Sequence, residues 1–387
     1  MKTLLTIAKE ASERRDWSLV NQTLQQIPLP AEDEQIGFII LPLALEVLKQ
    51  GDFQQRWEVS QFFPKLGKQV IPFLIEILHN QDVGIETRWF TGRILSQYSE
   101  PTAILALVQL LKAESTEELC RMASQGLAQI GASAIYPLLD LLETPATRLL
   151  TVQALAQIRR VDIIEPLLSV VNDPSPLIRS TAIEALGSFH DERIFVVLVK
   201  ALQDPITNVR KEALQALGYS QAPDVVDQIK PLLGDINLEI CQDAAIALGR
   251  IGSEQAAKEL FTVLQSTLTP NLLKREIIKA LGWMQTNQAL DYLALELRKT
   301  DVVLCLEIIT MLGRQELPTV QKQATEILLD FFNSQSPILE NPQVKQRIAT
   351  SLGEMKQASG KSLLLSLSED NHAVVRLHAQ AALKKFS

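Results

Sequence analysis

The stretch Arg179-Ser-Thr-Ala182-Ile-Glu-Ala185-Leu186-Gly187 returns 31 positions later as Arg210-Lys-Glu-Ala213-Leu-Gln-Ala216-Leu217-Gly218, with every anchor position kept. Three further copies follow directly, and weaker copies extend the pattern in both directions. Self-similarity at a period of roughly 20 to 50 residues is the signature of a stacked repeat protein. The copies begin at Arg56, Arg88, Cys120, Arg148, Arg179, Arg210, Cys241, Lys274, Cys305, Lys345 and Arg376.

Each copy has the pattern of a helix that is packed on both sides. Apolar residues three and four positions apart mark one buried face, and small residues at the fourth and seventh positions allow a neighbouring helix to approach closely. A second apolar helical stretch precedes each copy, for example Val70 to Leu78 or Arg193 to Ala201. The sequence therefore predicts an all-α fold, a right-handed α-solenoid of about eleven helix pairs.

The predicted solenoid covers residues 35–387, and residues 1–34 are predicted to form an N-terminal helical cap over the first core face. The breaker Pro28-Leu29-Pro30 separates the two parts. The longest interval, from Cys305 to Lys345, departs from the rhythm. Residues 315–344 are therefore predicted to form a lengthened first helix followed by a projecting loop.

An acidic residue recurs six positions before the anchor of several copies. An Asp at this place can accept N–H groups at the start of the second helix, and it can also pair with the Arg of its own or the next repeat. The pattern therefore predicts a structural ladder of carboxylates and cations along the array. Its acidic members are Asp82, Asp173, Asp204, Asp235 and Asp370.

Composition excludes several classes of function. The chain has 37 Lys and Arg against 45 Asp and Glu, a net charge of −8, so general binding to a phosphate backbone is not expected. The longest run without a polar side chain, Ile36 to Leu45, is far shorter than the ~20 residues that cross a bilayer. No signal-peptide core is present near Met1, and we expect a cytoplasmic protein without membrane insertion.

Motifs of catalysis are missing from the sequence. None of the four histidines is followed by Glu, and no metalloprotease, nucleophile-elbow, phosphate-loop or dinucleotide motif is present. The three cysteines, Cys120, Cys241 and Cys305, all occupy the anchor position that Arg takes elsewhere, so they are interpreted as half-buried replacements for Arg. We expect no catalytic residue, no metal site and no resident cofactor.

One stripe of the second helices is predicted to face a partner. Positions one, five and nine after each anchor share a helical stripe away from the core, and this stripe is expected to line a concave wall. In the early copies it carries Gln97, Gln125 and Gln129 together with basic and aromatic residues. Arg and aromatic side chains are enriched at binding hot spots. The predicted partner-binding residues are Trp89, Arg93, Tyr219, Arg250, Arg275, Lys279, Trp283 and Arg314.

The alternation of Asp, Arg and Ala-x-x-Ala-Leu-Gly resembles the short HEAT-like repeats of the phycobilisome lyase family over nearly the whole chain. That resemblance implies a cyanobacterial scaffold or adaptor that binds a phycobiliprotein subunit during its assembly or turnover. HEAT-like deoxyhypusine hydroxylases hold iron with His-Glu pairs, which this sequence lacks. The function expected first is therefore protein binding without catalysis.

Two other functions stay open at this point. The resemblance also fits a bilin lyase or lyase-isomerase, in which Arg250, Arg275 and Arg314 would bind the propionates of a linear tetrapyrrole and Tyr219 and Trp283 would stack on its rings. A HEAT-like DNA glycosylase would need a broadly basic face. The predicted stripe instead carries acidic residues beside its cations, namely Glu184, Glu212, Asp243, Glu276 and Glu307.

Overall fold

The computed structural model describes residues 2–27, 34–113, 116–222, 224–334 and 336–386. Within these ranges the regular structure is helical throughout, which confirms the predicted all-α fold class. The chain divides into two compact units, Met1–Phe189 and His190–Ser387. The predicted breaker Pro28-Leu29-Pro30 lies outside the described residues, and the cap boundary at residue 34 stays a prediction.

Helix pairs repeat along each unit, as the sequence predicts. An initial pair consists of α1 (Lys2–Glu13) and α2 (Trp17–Gln26). The first helices of the following pairs are α3 (Glu34–Gln50), α5 (Ile71–His79), α7 (Pro101–Ala113), α9 (Ile135–Leu142), α11 (Ile164–Val170), α13 (Glu192–Ala201), α15 (Val225–Ile229), α17 (Glu254–Leu264), α19 (Asn287–Leu297), α21 (Pro318–Asn333) and α23 (Lys361–Leu367).

Every predicted anchor residue lies in the second helix of its pair, so the predicted repeat starts are confirmed. Consecutive second helices pack against each other within each unit. These second helices are α4 (Phe53–Ser60), α6 (Ile85–Leu95), α8 (Glu117–Ile130), α10 (Pro145–Ile158), α12 (Pro176–Leu186), α14 (Thr207–Leu217), α16 (Leu238–Ile251), α18 (Asn271–Trp283), α20 (Val302–Gly313), α22 (Pro342–Met355) and α24 (Ala373–Leu383).

Local chemistry explains where the second helices begin. Pro145, Pro176 and Pro342 open α10, α12 and α22, where the missing N–H of proline costs nothing and its φ suits a helix. Asn237 and Asp301 cap α16 and α20 by accepting backbone N–H groups of the first turn. The two helices of these pairs are therefore separated by a turn whose end is fixed by a proline or a capping side chain.

Small residues set the spacing between neighbouring second helices. Ala244 and Ala247 of α16 are buried, and Gly249 faces Ala280 of α18. A Cβ atom on Gly249 would lie 2.8 Å from the Cβ and 3.0 Å from the Cα of Ala280. These distances are shorter than van der Waals contact, so the close packing of α16 on α18 depends on glycine at this position.

The ladder of carboxylates and cations is present, with one correction. Asp173 Oδ1 accepts the N–H of Ser175 at 2.8 Å, and its Oδ2 pairs with Arg148 Nη1 at 2.8 Å. Arg148 belongs to the preceding repeat, so the prediction of pairing within the same or next repeat is wrong here. Arg179, the Arg of the same repeat, donates to the backbone carbonyl of Asp173 at 2.8 Å. The pairs Arg210 with Asp235 and Lys345 with Asp370 repeat this arrangement.

One member of the ladder makes stability depend on pH. Burial alone would raise the pKa of Asp370, but hydrogen bonds from Lys345 Nζ and the backbone N–H of His372 outweigh it and lower the pKa. The stabilisation is therefore present above the ordinary carboxyl pKa of about 3.9 and is lost as the pH falls through the lowered value.

We expect Asp370→Asn to reduce this acid dependence. Urea titrations between pH 3 and pH 7 should show a smaller change in the free energy of unfolding for Asp370→Asn than for the wild type. Asp140 is exposed and serves as the control, so Asp140→Asn should follow the wild-type curve. Equal slopes for wild type and Asp370→Asn would contradict the assignment.

Residues 315–344 pack more closely than predicted. The lengthened first helix is present as α21, but the segment after it contains a short 3-10 helix, Pro337–Glu340. Leu339 of this 3-10 helix is buried. The segment therefore packs against the protein, whereas a projecting loop was expected. None of the helices in the described ranges is both long enough and apolar enough to cross a bilayer.

Candidate binding surface

An alternating row of aromatic and arginine side chains runs along the second unit. It consists of Tyr219, Arg250, Trp283 and Arg314, and we call it the aromatic–arginine row. Each member lies nine positions after its anchor, at or just beyond the C-terminal end of its second helix. Tyr219 is 68% exposed and Trp283 is 49% exposed, so both rings are open to solvent.

The two arginines of the row are available to a partner. The Arg250 guanidinium lies over the Tyr219 ring, 5.0 Å from its centroid. Within the described part of the chain, neither Arg250 nor Arg314 makes a side-chain hydrogen bond or ion pair, and both side chains are exposed. Their position at helix C-termini suits a positive charge. The row therefore offers two free cations beside two exposed rings.

The other two predicted cations of this unit are engaged. Arg275 Nη2 lies 3.5 Å from Glu307 Oε2, and Lys279 Nζ lies 2.8 Å from Glu276 Oε1. Glu276 lies on α18, the helix that carries both cations, and Glu307 lies on the next second helix, α20. The predicted basic stripe is thus largely neutralised at these two positions, and its free charge is concentrated in Arg250 and Arg314.

Asp243 of α16 is a half-buried acidic residue of this unit. Its Oδ2 atom is buried without a hydrogen-bond partner among the described residues. Burial raises the pKa of Asp243, and the positive charges of Lys211 and Arg250 offset this only in part. A raised folded-state pKa contributes stability at low pH, and this contribution is lost as the pH rises through that value. Asp243→Asn is therefore expected to raise the urea midpoint at pH 7 but not at pH 3. Identical midpoints at pH 7 would contradict this expectation.

A second group of predicted residues lies in the first unit and includes one that sequence reasoning missed. The Arg93 guanidinium lies 4.3 Å from the ring centroid of Trp57 and 5.5 Å from that of Trp89. We call these three residues the tryptophan–arginine cluster. Trp57 lies one position after the anchor Arg56. The rule that positions one, five and nine after an anchor share a stripe therefore predicts Trp57 when it is applied to the weak copy that begins at Arg56.

The predicted residues therefore fall into two groups, one in each unit. Trp89 and Arg93 belong to the first unit, and the other six belong to the second. A guanidinium is attracted to the face of an indole or phenol ring, and it can pair with a carboxylate in bidentate geometry. Each group is chemically suited to an acidic partner that also presents apolar side chains.

The cysteines occupy structural positions. Cys241 Sγ lies 3.2 Å from the carbonyl oxygen of Asp235 and donates to it, as Arg210 donates to the carbonyl of Asp204 in the preceding repeat. Burial raises the pKa of Cys305 to about 12, so its thiol stays protonated at neutral pH. Cys120 is half-buried as predicted, whereas Cys241 and Cys305 are buried more deeply than predicted.

The first unit contains a polar cleft that lies apart from the rows of cations described above. Among the described residues, no group of three or more His, Cys, Asp or Glu side chains is arranged to hold a metal ion. A polar cleft of about 650 Å³ lies between α10 and α12 in the first unit. Its lining includes Gln153, Gln157, Thr181 and Glu184.

Comparison with known proteins identifies the repeat type. The HEAT-repeat family profile matches residues 137–205 and 195–271, which supports the prediction of HEAT-like repeats. No curated protein sequence matches the chain. The finer resemblance to the phycobilisome lyase repeats stays a prediction.

Solved structures of karyopherins share the fold. Kap121p bound to Ste12p is 14% identical with a TM-score of 0.55, and the match covers 100% of this chain and 53% of that one. Importin beta is 11% identical with a TM-score of 0.52, covering 99% of this chain and 65% of that one. This chain therefore spans about half to two thirds of the length of these proteins. The likeness confirms the HEAT solenoid fold.

Proposed function

We propose that this chain is a protein-binding scaffold or adaptor, and that the aromatic–arginine row is its main contact surface. The observation that carries the proposal is the alternation of exposed rings and unpaired arginines along α14, α16, α18 and α20. Solenoids of stacked helix pairs present extended surfaces of this kind. The structure of Kap121p bound to Ste12p supports the same class of function by analogy.

The chemistry of the row specifies an acidic partner. Two guanidinium groups without carboxylate partners bind carboxylates in bidentate geometry, and the exposed rings add apolar contact area. The whole chain has a net charge of −8, so most of its surface repels an acidic protein. An acidic partner is therefore directed to the two arginines of the row. We propose that the row lines the concave wall of the second helices.

The finer proposal concerns the identity of the partner. The resemblance to phycobilisome lyase repeats supports a phycobiliprotein subunit as the partner, in a cyanobacterial cytoplasm. An alternative on the same residues is a bilin lyase, which the stacking of Arg250 on Tyr219 favours because a tetrapyrrole carries both rings and propionates. In that case the row would orient the chromophore for attack by a cysteine of the antenna protein.

Affinity capture from the native cytoplasm tests the proposal. The wild type and Tyr219→Ala with Trp283→Ala serve as baits, and each eluate is read by mass spectrometry and visible absorption. We expect an acidic protein that the wild type captures and the double variant loses. Bilin absorbance without a protein would favour the lyase alternative. The same proteins captured by both baits would contradict the role of the row.

A matched variant controls for loss of exposed apolar surface. Tyr136 is 83% exposed and lies on α9 of the first unit, remote in sequence from the row. Tyr136→Ala removes a similar ring and should leave capture unchanged. Far-ultraviolet circular dichroism of all baits should show the same helix content.

A further inference from the structure

Glutamines form two rows along the second helices of the first unit and just beyond the end of α6. Gln97, Gln129 and Gln157 lie nine positions after the anchors of α6, α8 and α10, and Gln125 and Gln153 lie five positions after those of α8 and α10. We call these five residues the glutamine rows. Because α6, α8 and α10 pack consecutively, equivalent positions lie side by side.

The amides of these rows are free. Within the described ranges, none of the five side chains makes a hydrogen bond to another protein group, and four of them are exposed, with Gln153 half-buried. Some glutamines elsewhere are engaged, since Gln315, Gln321 and Gln357 donate to backbone or side-chain oxygens. Others, such as Gln343 and Gln380, are equally free, so this face is distinguished by the alignment of its amides on adjacent helices.

A primary amide carries both a donor and an acceptor, as a peptide group does. Neighbouring helices pack about 10 Å apart, and an extended chain advances about 3.3 Å per residue. A peptide that crosses the second helices would therefore pass one glutamine of each row about every three residues. The spacing matches the backbone of an extended chain and carries no preference for its side chains.

The surroundings of the rows fit such a ligand. At one side lies the tryptophan–arginine cluster, where the Arg93 side chain makes no hydrogen bond or ion pair within the described residues and Trp57 is 37% exposed. At the other side the rows open into the polar cleft between α10 and α12, which Gln153 and Gln157 line with Glu184. From α4 to α12 a peptide would cross four helix spacings, roughly 40 Å or about twelve residues.

We infer that this face of the first unit binds an extended, unfolded polypeptide segment of about twelve residues. The glutamine rows hydrogen-bond its main chain, and the tryptophan–arginine cluster selects an aromatic or aliphatic residue beside an acidic one. The inference rests on the proposed protein-binding function and adds a second surface with its own class of partner. Single-stranded nucleic acid fits less well, because the wall has few cations and Arg121 is paired with Glu117.

Selection of phage-displayed random 12-residue peptides on the full chain tests the inference. We expect enriched peptides with an apolar–acidic pair near one end and little preference in the remainder. Methylating the backbone nitrogens of one such synthetic peptide in turn should weaken binding at about every third residue. Gln129→Ala with Gln157→Ala should raise the Kd about tenfold, since about two hydrogen bonds are lost.

The matched control uses exposed glutamines of the second unit. Gln343 and Gln380 make no side-chain hydrogen bond within the described residues, so Gln343→Ala with Gln380→Ala should leave the Kd unchanged. Absence of enriched peptides, or an unchanged Kd in Gln129→Ala with Gln157→Ala, would overturn the inference. Competition by single-stranded polyuridylate at equal affinity would also overturn it. If the inference fails but partner capture still depends on Tyr219 and Trp283, the proposed protein-binding function is still supported.

Discussion

Gly249→Val is expected to lower the free energy of unfolding of the second unit by about 3 kcal/mol, the upper part of the range for overpacked cores. A Cβ atom at this position would lie 2.8 Å from the Cβ, 3.0 Å from the Cα and 3.2 Å from the backbone oxygen of Ala280. Since two of these atoms belong to the backbone of α18, relief requires α16 and α18 to separate.

Urea unfolding followed by circular dichroism measures this effect. Gly234 is the control, because a Cβ atom there meets nothing within 4 Å and its φ lies outside the left-handed region. Gly234→Val should change the unfolding midpoint little. If Gly249→Val unfolds at the same urea concentration as Gly234→Val, the spacing between second helices is not set by the small residues.

Arg210→Ala is expected to cost roughly 3 kcal/mol, because removing one partner of a buried pair leaves the other charge uncompensated. Arg210 Nη2 lies 2.9 Å from Asp235 Oδ1, and the two side chains are only 10% and 12% exposed. Arg210 Nη1 also donates to the backbone carbonyls of Asp204 and Pro205. The substitution therefore removes the donor of two carbonyls and the cation beside the Asp235 carboxylate, which keeps only the backbone N–H of Asn237.

An exposed pair provides the comparison for Arg210→Ala. Arg160 and Asp162 lie 3.2 Å apart, with both side chains more than half exposed, so Arg160→Ala should cost less than about 1 kcal/mol. Thermal unfolding of the two variants should separate them clearly. Equal stabilities would mean that the ladder is a solvated surface feature rather than part of the core.

The helix pairs could be predicted from the repeat pattern because packing between neighbouring repeats determines which residue types recur. A small residue is needed wherever two second helices approach, as at Ala247 and Gly249, and this need is visible in one sequence. The hydrogen bonds that Arg179, Arg210 and Arg376 donate to backbone carbonyls are equally predictable, since those carbonyls lie six residues earlier in the chain. Cys241 shows that a smaller side chain can make the same hydrogen bond to a carbonyl.

The state of each surface charge could not be predicted from the same pattern. Arg275 and Glu307 are 32 positions apart, and their pairing depends on side-chain rotamers across two helices. Arg250 belongs to the same predicted stripe as Arg275, but its guanidinium stacks on Tyr219 and makes no ion pair with a described residue. The direction of the Asp ladder likewise depends on which neighbouring repeat lies within reach of the carboxylate.

The dissociation constant of the captured partner for two charge-reversal variants tests the central claim most directly. Arg250→Glu with Arg314→Glu reverses the two free cations of the aromatic–arginine row, whereas Arg275→Glu with Lys279→Glu reverses the two that are already paired. We expect the first variant to weaken binding at least about a hundredfold, because each guanidinium that pairs with a partner carboxylate contributes about 1.5 to 3 kcal/mol. The second should weaken binding less than the first. Equal effects of the two variants, or unchanged binding by the first, would contradict the account.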